Sequence, residues 1–476
     1  MKRYEQVASA LRLRMEHGLY QPGDRLPSIR ALCTEFAVSV STVQTAYAEL
    51  EAAGLVMARA KSGYFAQARQ RPAVLPATSR PAQRPLDVSQ WDQVLALVNQ
   101  NPQESCLRLG SGSPDLTADT LKPLRRGLSA LYRRADEALD NYDTLNGTGA
   151  LRTQLARLAG ASGTALHEDD IVITSGCQES LSIAIRTLTS PGDVVAVDSP
   201  SFYGSMQTLK AHGLKALELP TDPQTGISLA ALELALEQWP IKAIQVTPTH
   251  NNPLGYTMPD ARKRALLALA QRFDVAIIED DVYGDLAYTA PRPRTIKSWD
   301  EDGRVLLCSG FSKTLMPSLR LGWIAPGRYR DQALHMKFVS TGATATAPQL
   351  AVARFVEQGG YERHVRQAVR RYQRNLERVL GWLHVLFPAE VAVTDPQGGF
   401  VLWLEFKGLD CVALSARLLR QGIQVAPGVL FSASGKYRDC LRINFTRADE
   451  AVHSALRCMA AEVEVMRDEC AGQPVV

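Results

Sequence analysis

Five short, almost wholly apolar runs recur between residues 170 and 309, and helical segments separate them. The runs are DIVIT, DVVAVD, KAIQVTP, VAIIED and RVLLCS, and the separating segments include CQESLSIAIRTL and DARKRALLALAQRF. Strands that are apolar on both faces are typical of a mostly parallel sheet that helices cover on each side. The pattern therefore predicts a large α/β domain with a mostly parallel sheet. After about residue 332 the chain is rich in helix, and the later runs VAVT, FVLWLEF and CLRINF predict a smaller α+β lobe.

A polar, proline-rich stretch separates this body from a different pattern at the amino terminus. The stretch RQRPAVLPATSRPAQRP carries four prolines and shows neither helical nor strand periodicity, which is typical of an extended tether. We therefore predict a first domain over residues 1–67, a proline-rich linker over residues 68–104 and the large domain over residues 105–470. A chain of 476 residues with 46% hydrophobic and 21% charged residues has the composition of a folded globular protein.

Cysteine spacing and apolar run length bear on the cellular setting. The eight cysteines are scattered singly, without a CxxC pair or a metal-ligand spacing, and the first residues lack the apolar core of a signal peptide. No apolar run approaches the roughly 18 residues that a membrane-spanning helix needs. We expect a cytoplasmic protein with no metal site and no membrane partner. The formal net charge of +4 is small for this length, so binding to a nucleic acid would require a local basic surface.

The first 67 residues carry the pattern of a helix-turn-helix followed by a wing. Apolar residues at positions 4, 7, 11 and 15 recur at helical spacing. Ser28 and Ser39 each precede a further apolar helical pattern and are predicted to cap two short helices joined by a tight turn. The segment LVMARAKSGYFAQ then predicts two strands with Arg59 and Lys61 at a basic tip suited to DNA phosphates or the minor groove.

This segment resembles the GntR-type winged helix. The family pattern of Leu-Pro-Ser-x-Arg, Val-Ser-x-x-Thr-Val and Ser-Gly-x-Phe is met at residues 26–30, 38–43 and 62–65. The resemblance implies a double-stranded DNA operator as partner. The DNA contacts that it implies are Arg25, Ser28, Arg30, Ser41, Thr42, Thr45 and Lys61. Many members carry arginine where this chain has Val40, which predicts a different base readout there, such as contact with a thymine methyl. The alternative interpretation is a helical cap or a dimerisation arm.

Reactive side chains follow the predicted strands at their carboxyl ends, where open α/β sheets bind ligands. Lys313 follows RVLLC, Asp280 ends VAIIED, Tyr283 lies three residues further on, and Asn252 follows KAIQV. A lysine amine, a carboxylate for a ring nitrogen and donors for a phenolic oxygen suit pyridoxal 5′-phosphate (PLP). We expect Lys313, Asp280 and Tyr283 to be the catalytic groups. Tyr283 and Asn252 are expected to hydrogen-bond the phenolic oxygen of the cofactor.

A phosphate cradle is predicted next to these groups. Ser175, Gly176 and Cys177 join the strand DIVIT to the following helix, so backbone N–H groups and the helix dipole face an anion there. Arg320 is expected to add a charge-assisted hydrogen bond to the phosphate.

Two further residues are predicted to bind the ring and an effector. Phe202, after the strand DVVAV, is expected to stack on the cofactor ring in preference to Tyr203, and Arg442, in LRINF, is expected to bind the effector carboxylate. Taken singly, each of these residues reads as a solvated charge, a helix cap or a core side chain. Their joint order on successive strand ends is what predicts a site.

These residues resemble those of fold-type I PLP enzymes of the aspartate aminotransferase group, over roughly residues 107–464. The resemblance implies a large α/β domain with a mostly parallel sheet of the seven-stranded type and a small α+β carboxyl-terminal domain. The resemblance implies that Tyr142, in NYDTLNGTGALR, reaches the phosphate of the partner subunit, and it therefore implies a homodimer. The family often places a serine three residues before the lysine, where this chain has Gly310, so Ser309 or Ser312 is expected to supply the hydroxyl.

The succession of a GntR-type domain, a linker and an aminotransferase class I/II-like domain resembles the MocR-type regulators over nearly the full length. The resemblance implies a PLP-binding transcription regulator whose small-molecule effector is PLP itself or an amino acid or amine. The competing hypothesis is a catalytically active PLP-dependent aminotransferase with an accessory amino-terminal domain. A third is a sensor that keeps the fold without PLP.

Overall fold

The computed structural model describes residues 3–16, 19–21, 23–52, 55–59, 62–67, 74–89, 91–99, 106–133 and 141–471. Its helices are α1 (Arg3–Glu16), α2 (Ile29–Phe36), α3 (Val40–Ala52), α4 (Trp91–Asn99), α5 (Lys122–Arg133), α6 (Gly149–Ala159), α7 (Cys177–Leu188), α8 (Tyr203–Ala211), α9 (Leu229–Gln238), α10 (Asp260–Arg272), α11 (Arg330–Phe338), α12 (Thr346–Glu357), α13 (Gly360–Leu386), α14 (Cys411–Arg420) and α15 (Glu450–Ala471).

Its strands are β1 (Val56–Arg59), β2 (Gly63–Ala66), β3 (Leu86–Asp87), β4 (Leu107–Arg108), β5 (Val172–Thr174), β6 (Val194–Ser199), β7 (Lys215–Asp222), β8 (Gly226–Ile227), β9 (Ile241–Val246), β10 (Ala276–Asp280), β11 (Val305–Gly310), β12 (Gly322–Ala325), β13 (Ala392–Val393), β14 (Val401–Glu405), β15 (Ile423–Gln424), β16 (Ala426–Pro427) and β17 (Cys440–Asn444). Short 3₁₀ turns connect several of these elements.

The chain divides into two units. The first comprises Met1–Val74, Arg371–Ala392 and Arg447–Val476, and the second comprises Leu75–Arg370 and Val393–Thr446. The first unit therefore combines the amino-terminal helices with α15 and the second half of α13.

In the first unit, α1 to α3 and the β1–β2 hairpin form the predicted winged helix-turn-helix. Ser28 caps α2, because its Oγ accepts a hydrogen bond from the Ala31 amide at 3.2 Å. Ser39 does the same for α3 through the Thr42 amide at 3.2 Å. The apolar side chains of these helices and of the hairpin pack into one shared core. Its fully buried members include Val7, Leu11, Leu32, Val43, Ala46, Tyr47, Leu50 and Val56. Each such large side chain contributes about 1.5–3 kcal/mol when it leaves water, which explains why so short a domain packs around these positions.

In the second unit, the predicted mostly parallel sheet is confirmed. Its strand order is β3-β7-β6-β9-β10-β11-β12-β5, with β8 paired to β7. Strands β7, β6, β9, β10 and β11 run parallel to one another, β3 and β8 are antiparallel to β7, and β12 is antiparallel to both β11 and β5. Strand β7 was not among the predicted runs, since KALELPTD alternates charged and apolar residues at its start and carries a proline. The parallel arrangement brings the carboxyl ends of β6, β9, β10 and β11 to one edge.

The smaller lobe carries its own antiparallel sheet, in the order β13-β14-β17-β16, which confirms the late strands predicted from the sequence. A separate two-stranded parallel pair joins β15 to β4. Among the described residues, no helix combines the length and the apolar content needed to cross a lipid bilayer.

The segment predicted as a linker contains structure that the sequence pattern did not reveal. Strand β3 pairs with the edge of the main sheet at β7, and α4 follows it. Ser79 reinforces this edge, because its amide donates to the Thr221 carbonyl at 3.1 Å and its Oγ accepts from the Thr221 amide at 2.8 Å. An uninterrupted tether over residues 68–104 is therefore wrong in its second half. Val94 of α4 is only 3% exposed, so burial against the sheet stabilises a short helix that propensity alone leaves ambiguous.

Candidate functional site

Lys313 lies just after β11, at the carboxyl edge of the main sheet. Its Nζ donates a hydrogen bond to the carbonyl oxygen of Gly112 at 2.7 Å and lies 5.7 Å from the centre of the Tyr283 ring. A Cβ at Gly112 would stand 3.2 Å from Nζ and 3.9 Å from the Tyr283 hydroxyl, so these three groups converge on one point. Burial, followed by the positive charge of Arg442, lowers the pKa of Lys313 to about 8.

Asp280 ends β10 beside this lysine, and its side chain is buried. Its Oδ1 accepts a hydrogen bond from the Val282 amide at 3.2 Å and lies 3.5 Å from the Cys177 thiol. Burial raises the pKa of Asp280 to about 6, because a carboxylate inside the protein loses its hydration. A protonated ring nitrogen placed against Asp280 would lower this pKa again, because a nearby positive charge favours the carboxylate.

The Tyr283 hydroxyl is a buried polar atom that has no hydrogen-bond partner in the part of the chain that the structure describes. Leaving such a group unpaired costs roughly 1–3 kcal/mol, which points to a partner supplied from outside the chain. Its position next to Lys313 fits the phenolic oxygen of PLP. The residues present at this edge therefore fit the cofactor that the sequence predicts.

The predicted phosphate cradle lies at the first turn of α7. Gly176 is the N-cap at a φ of 103°, and no side chain caps this turn. Arg320 reaches the same point, because its Nη2 donates to the Ser175 carbonyl at 2.8 Å and would meet a Cβ at Gly176 at 2.7 Å. The Ser175 amide is already bonded to the Glu179 carboxylate, a contact that the sequence did not suggest. Of the groups predicted to form the cradle, the amides of Gly176 and Cys177 and the guanidinium of Arg320 are left for an anion.

Arg442 and Asn252 lie together on the other side of the site. Arg442 on β17 is fully buried, and its Nη1 donates to the Asn252 Oδ1 at 3.0 Å while its Nη2 donates to the Gly110 carbonyl. Its Nε is buried without a partner among the described residues. Asn444, two residues further along, holds the loop that carries Gly110 and Gly112 through the carbonyls of Ser111 and Ser113.

Sequence reasoning missed this loop, although the run GSGSP directly after β4 is the kind of glycine-rich turn that brings backbone close to a ligand. The carbonyl of Gly110 accepts a hydrogen bond from Arg442, and that of Gly112 accepts one from Lys313. Asn444 carried no signal of its own in the sequence.

The aromatic residues and the remaining polar groups are placed as follows. The ring centres of Phe202 and Tyr203 lie 4.7 Å apart, and the Tyr203 ring lies 5.9 Å from the Arg442 guanidinium. The structure brings Tyr203 toward the site more directly than the sequence suggested.

The two serines considered for the cofactor hydroxyl contact and the exposed Tyr142 differ in burial and contacts. Ser309 donates to the Asp281 carbonyl at 3.0 Å, whereas Ser312 is half-buried. Tyr142 is 98% exposed, away from the side chains of its own site.

The predicted DNA contacts on the first unit form an exposed surface. The solvent-exposed members are Arg25, Ser28, Arg30, Ser41 and Thr45, and Thr42 is half-buried. Val40, at the start of α3, is 53% exposed, so an apolar side chain faces outward where the helix would enter a groove. Lys61 lies outside the described residues.

The wing carries an ion pair that the sequence did not suggest. Arg59 packs over the Phe65 ring at 4.4 Å and pairs with Glu377 of α13 at 3.1 Å. Asp24 pairs with Arg378 at 3.3 Å. Arg59, predicted to reach DNA, is therefore held by a carboxylate of its own unit.

Comparisons with known proteins agree with this architecture. Residues 104–458 match the family model "Aminotransferase class I and II", and residues 3–65 match "Bacterial regulatory proteins, gntR family". The chain is 52% identical over 445 residues to the uncharacterized HTH-type transcriptional regulator YjiR of Escherichia coli (strain K12), covering 93% of this chain and 95% of that one. It is 28% identical over 449 residues to the HTH-type transcriptional regulator TauR of Rhodobacter capsulatus, covering 90% of each.

Among solved structures, the chain is similar to kynurenine aminotransferase of Pyrococcus horikoshii, in a complex with PMP. The TM-score is 0.71 at 28% identity, over 79% of this chain and 94% of that chain. A gntR domain followed by an aminotransferase-like domain defines a class of two-domain regulators. The chain belongs to the aminotransferase class I and II family and, because it also carries a gntR domain, to the MocR-type subfamily of gntR regulators.

The lowered pKa of Lys313 predicts how cofactor uptake depends on pH. A neutral amine attacks an aldehyde and an ammonium does not, so attachment of PLP to cofactor-free chain should speed up as pH rises and level off above about 8. An ordinary lysine would show the rise continuing toward about 10.4. Stopped-flow absorbance measures the rate, with butylamine in the same buffers as the reference. Arg442→Met removes a positive neighbour of Lys313 and should move the midpoint of the rate profile to higher pH. A midpoint in the natural chain equal to that of butylamine would contradict the lowered pKa of Lys313.

Proposed function

We propose that this chain is a PLP-binding, DNA-binding transcription regulator that senses PLP or an amino compound through its aminotransferase-like unit. The observation that carries the proposal is the convergence of Lys313, Asp280 and the unpartnered Tyr283 hydroxyl at one sheet edge. The same chain carries a gntR domain, and five of its predicted DNA contacts are exposed: Arg25, Ser28, Arg30, Ser41 and Thr45.

Each residue at this edge of the sheet has a separate role in binding the cofactor. Lys313 provides the amine for the aldehyde, Asp280 keeps the ring nitrogen protonated, and the Tyr283 hydroxyl hydrogen-bonds the phenolic oxygen. The first turn of α7 and Arg320 bind the phosphate. When bound, PLP supplies an electron sink and a carbonyl that exchanges amines. Phe202 and Tyr203 limit the space for the ring.

Arg442 is the proposed anchor for an effector carboxylate. Burial together with the Asn252 and Gly110 contacts orients its guanidinium, and its Nε is the donor left over for a ligand. An amino acid would use this anchor, whereas a plain amine would not. PLP acting as its own effector requires only the cofactor residues.

A homodimer completes the proposed site. The exposure of Tyr142 supports this part, because a tyrosine ring that is 98% exposed has most of its surface free for a second subunit. Its hydroxyl is proposed to reach the phosphate bound by the partner subunit.

One experiment tests the function as a whole. Binding of the purified chain to its own upstream DNA is titrated at several salt concentrations, without PLP, with PLP, and with PLP plus candidate amines. A regulator gives salt-dependent binding whose affinity or footprint changes with the ligand. Identical affinity and footprint in all three states would contradict sensing.

The second candidate is an active aminotransferase, which would use the same proposed lysine, ring-nitrogen acid and carboxylate-binding arginine. A fast conversion of bound PLP to pyridoxamine phosphate by an amino acid, followed by absorbance, would support the enzyme. A slow conversion together with ligand-dependent DNA binding supports the regulator.

The ion pair on the wing makes a separate prediction. Glu377→Gln should free Arg59 for a DNA phosphate and raise DNA affinity by up to roughly fivefold, because exposed ion pairs are worth about 0–1 kcal/mol. The salt dependence of binding should steepen by about one counterion. Fluorescence anisotropy measures both effects, and Glu464→Gln, an exposed change of the same charge on α15, is the control. A gain that persists in Arg59→Gln/Glu377→Gln would show that Arg59 is not involved.

A further inference from the structure

We propose that Arg292 is a positioning residue that holds the Asp280–Tyr283 turn in register with the cofactor ring, an inference that rests on the proposed binding of PLP. In the described part of the chain, no hydrogen bond or ion pair joins Arg292 to a side chain proposed to bind the cofactor. It bonds instead to the two carboxylates, Asp281 and Asp285, that flank the turn on either side of Tyr283.

We call Arg292, Asp281 and Asp285 the clamp, because one guanidinium bonds to both carboxylates. The Arg292 Nη2 donates to the Asp281 Oδ2, and the Nε donates to the Asp285 Oδ1 at 2.5 Å. The side chain of Arg292 is only 15% exposed, that of Asp281 3% and that of Asp285 29%. Two charge-assisted bonds made by one planar group fix direction as well as distance, which a single pair does not.

The clamp is tied to elements on both sides of the site. The Asp281 amide donates to the Cys308 carbonyl of β11 at 2.9 Å, which anchors the turn to the strand that leads to Lys313. At the other end, the Tyr361 hydroxyl of α13 donates to Asp285. Tyr361 also packs edge-on against Phe311, two residues before the lysine, at 5.6 Å. The turn and the lysine segment therefore share one set of anchors.

Gly284, between Tyr283 and Asp285, makes the clamp possible. A Cβ at this position would stand 2.3 Å from the Arg292 Nη2 and 2.4 Å from the Asp281 Oδ1. Glycine thus provides the space in which the guanidinium crosses the turn.

Loss of the guanidinium would leave two carboxylates, one of them buried, without their cation. Such groups either take up protons or move toward water, and either response displaces the turn. Asp280 and Tyr283 lie within this turn, so the displacement reaches the two groups proposed to hold the ring nitrogen and the phenolic oxygen. We expect PLP affinity to fall roughly 10- to 100-fold, the range seen when residues that orient the ligands of a metal site are removed.

The test compares Arg292→Met, Arg292→Lys and Arg304→Met in the full-length chain. Arg304 is a matched control, because it is also a buried arginine of the second unit paired with two carboxylates, Asp302 and Asp274, but it lies at the amino end of β11. For each variant, PLP affinity is measured by titration, the visible absorbance and circular dichroism of the bound cofactor are recorded, and thermal unfolding is followed.

Arg292→Met should weaken PLP binding and change the visible circular dichroism of the bound cofactor. Arg292→Lys should restore part of the PLP affinity. Arg304→Met should lower the unfolding temperature while leaving PLP affinity and the visible spectrum unchanged. If Arg292→Met binds PLP as tightly as the natural chain and with the same spectrum, or if Arg304→Met weakens PLP equally, the positioning role is wrong. Failure of the natural chain to bind PLP at all would instead refute the proposed function.

Discussion

Lys313→Ala is expected to abolish covalent attachment of PLP completely while the chain still folds. The lysine carries an amine with a lowered pKa at the carboxyl edge of the sheet, next to the unpartnered Tyr283 hydroxyl. Two other buried lysines have their amines engaged elsewhere: Lys263 donates to Thr249 at 3.0 Å and Lys337 to Thr344 at 2.9 Å. Removing Lys313 deletes one hydrogen bond to a backbone carbonyl, which costs about 1 kcal/mol.

The measurement is the mass of the chain after PLP and borohydride, which reduces and fixes any imine. The natural chain should gain one phosphopyridoxyl group on Lys313, and Lys313→Ala should gain none. Lys263→Met, the control, should be labelled like the natural chain. Full labelling of Lys313→Ala would refute the assignment of this lysine, and an unlabelled natural chain would favour the sensor that works without PLP.

Ser41→Glu is expected to weaken operator binding strongly without unfolding the gntR domain. Ser41 is exposed in the first turn of α3, the helix predicted to enter the major groove. A carboxylate there faces DNA phosphates, and such a like-charge contact costs several kcal/mol, so we expect a loss in affinity of about 100-fold or more. The same carboxylate is favourable for the helix, since negative charge near a helix amino terminus is worth about 0.3–1 kcal/mol.

Anisotropy with operator DNA measures the affinity, and thermal unfolding measures the fold. Ser9→Glu introduces the same charge on the exposed face of α1, away from the predicted contacts, and should change affinity only slightly. Equal losses from both variants would mean that net charge, and not the α3 surface, governs binding. If Ser41→Glu still binds operator DNA, the prediction that α3 enters the major groove is wrong.

Much of this protein was predictable because its signals are local. Ser28 and Ser39 cap helices through amides three residues away, and the apolar runs at β6, β9, β10 and β11 are buried strands as their composition requires. The errors fall where local signals are weak. Helix α4 and strand β3 are short, and their stability comes from packing against the main sheet.

The amino-acid sequence by itself determined the two-domain organisation, the α/β class, and the order of lysine, acid and tyrosine on successive strand ends. These follow from residue type, periodicity and spacing along the chain. Only the tertiary structure decided that Gly112 accepts from Lys313, that Glu377 holds Arg59 and that Arg292 joins Asp281 to Asp285. The first two contacts join residues hundreds of positions apart, and the third depends on the path of a turn. Side-chain pairing of this kind is set by how strand ends and loops pack, which no periodicity along the chain encodes.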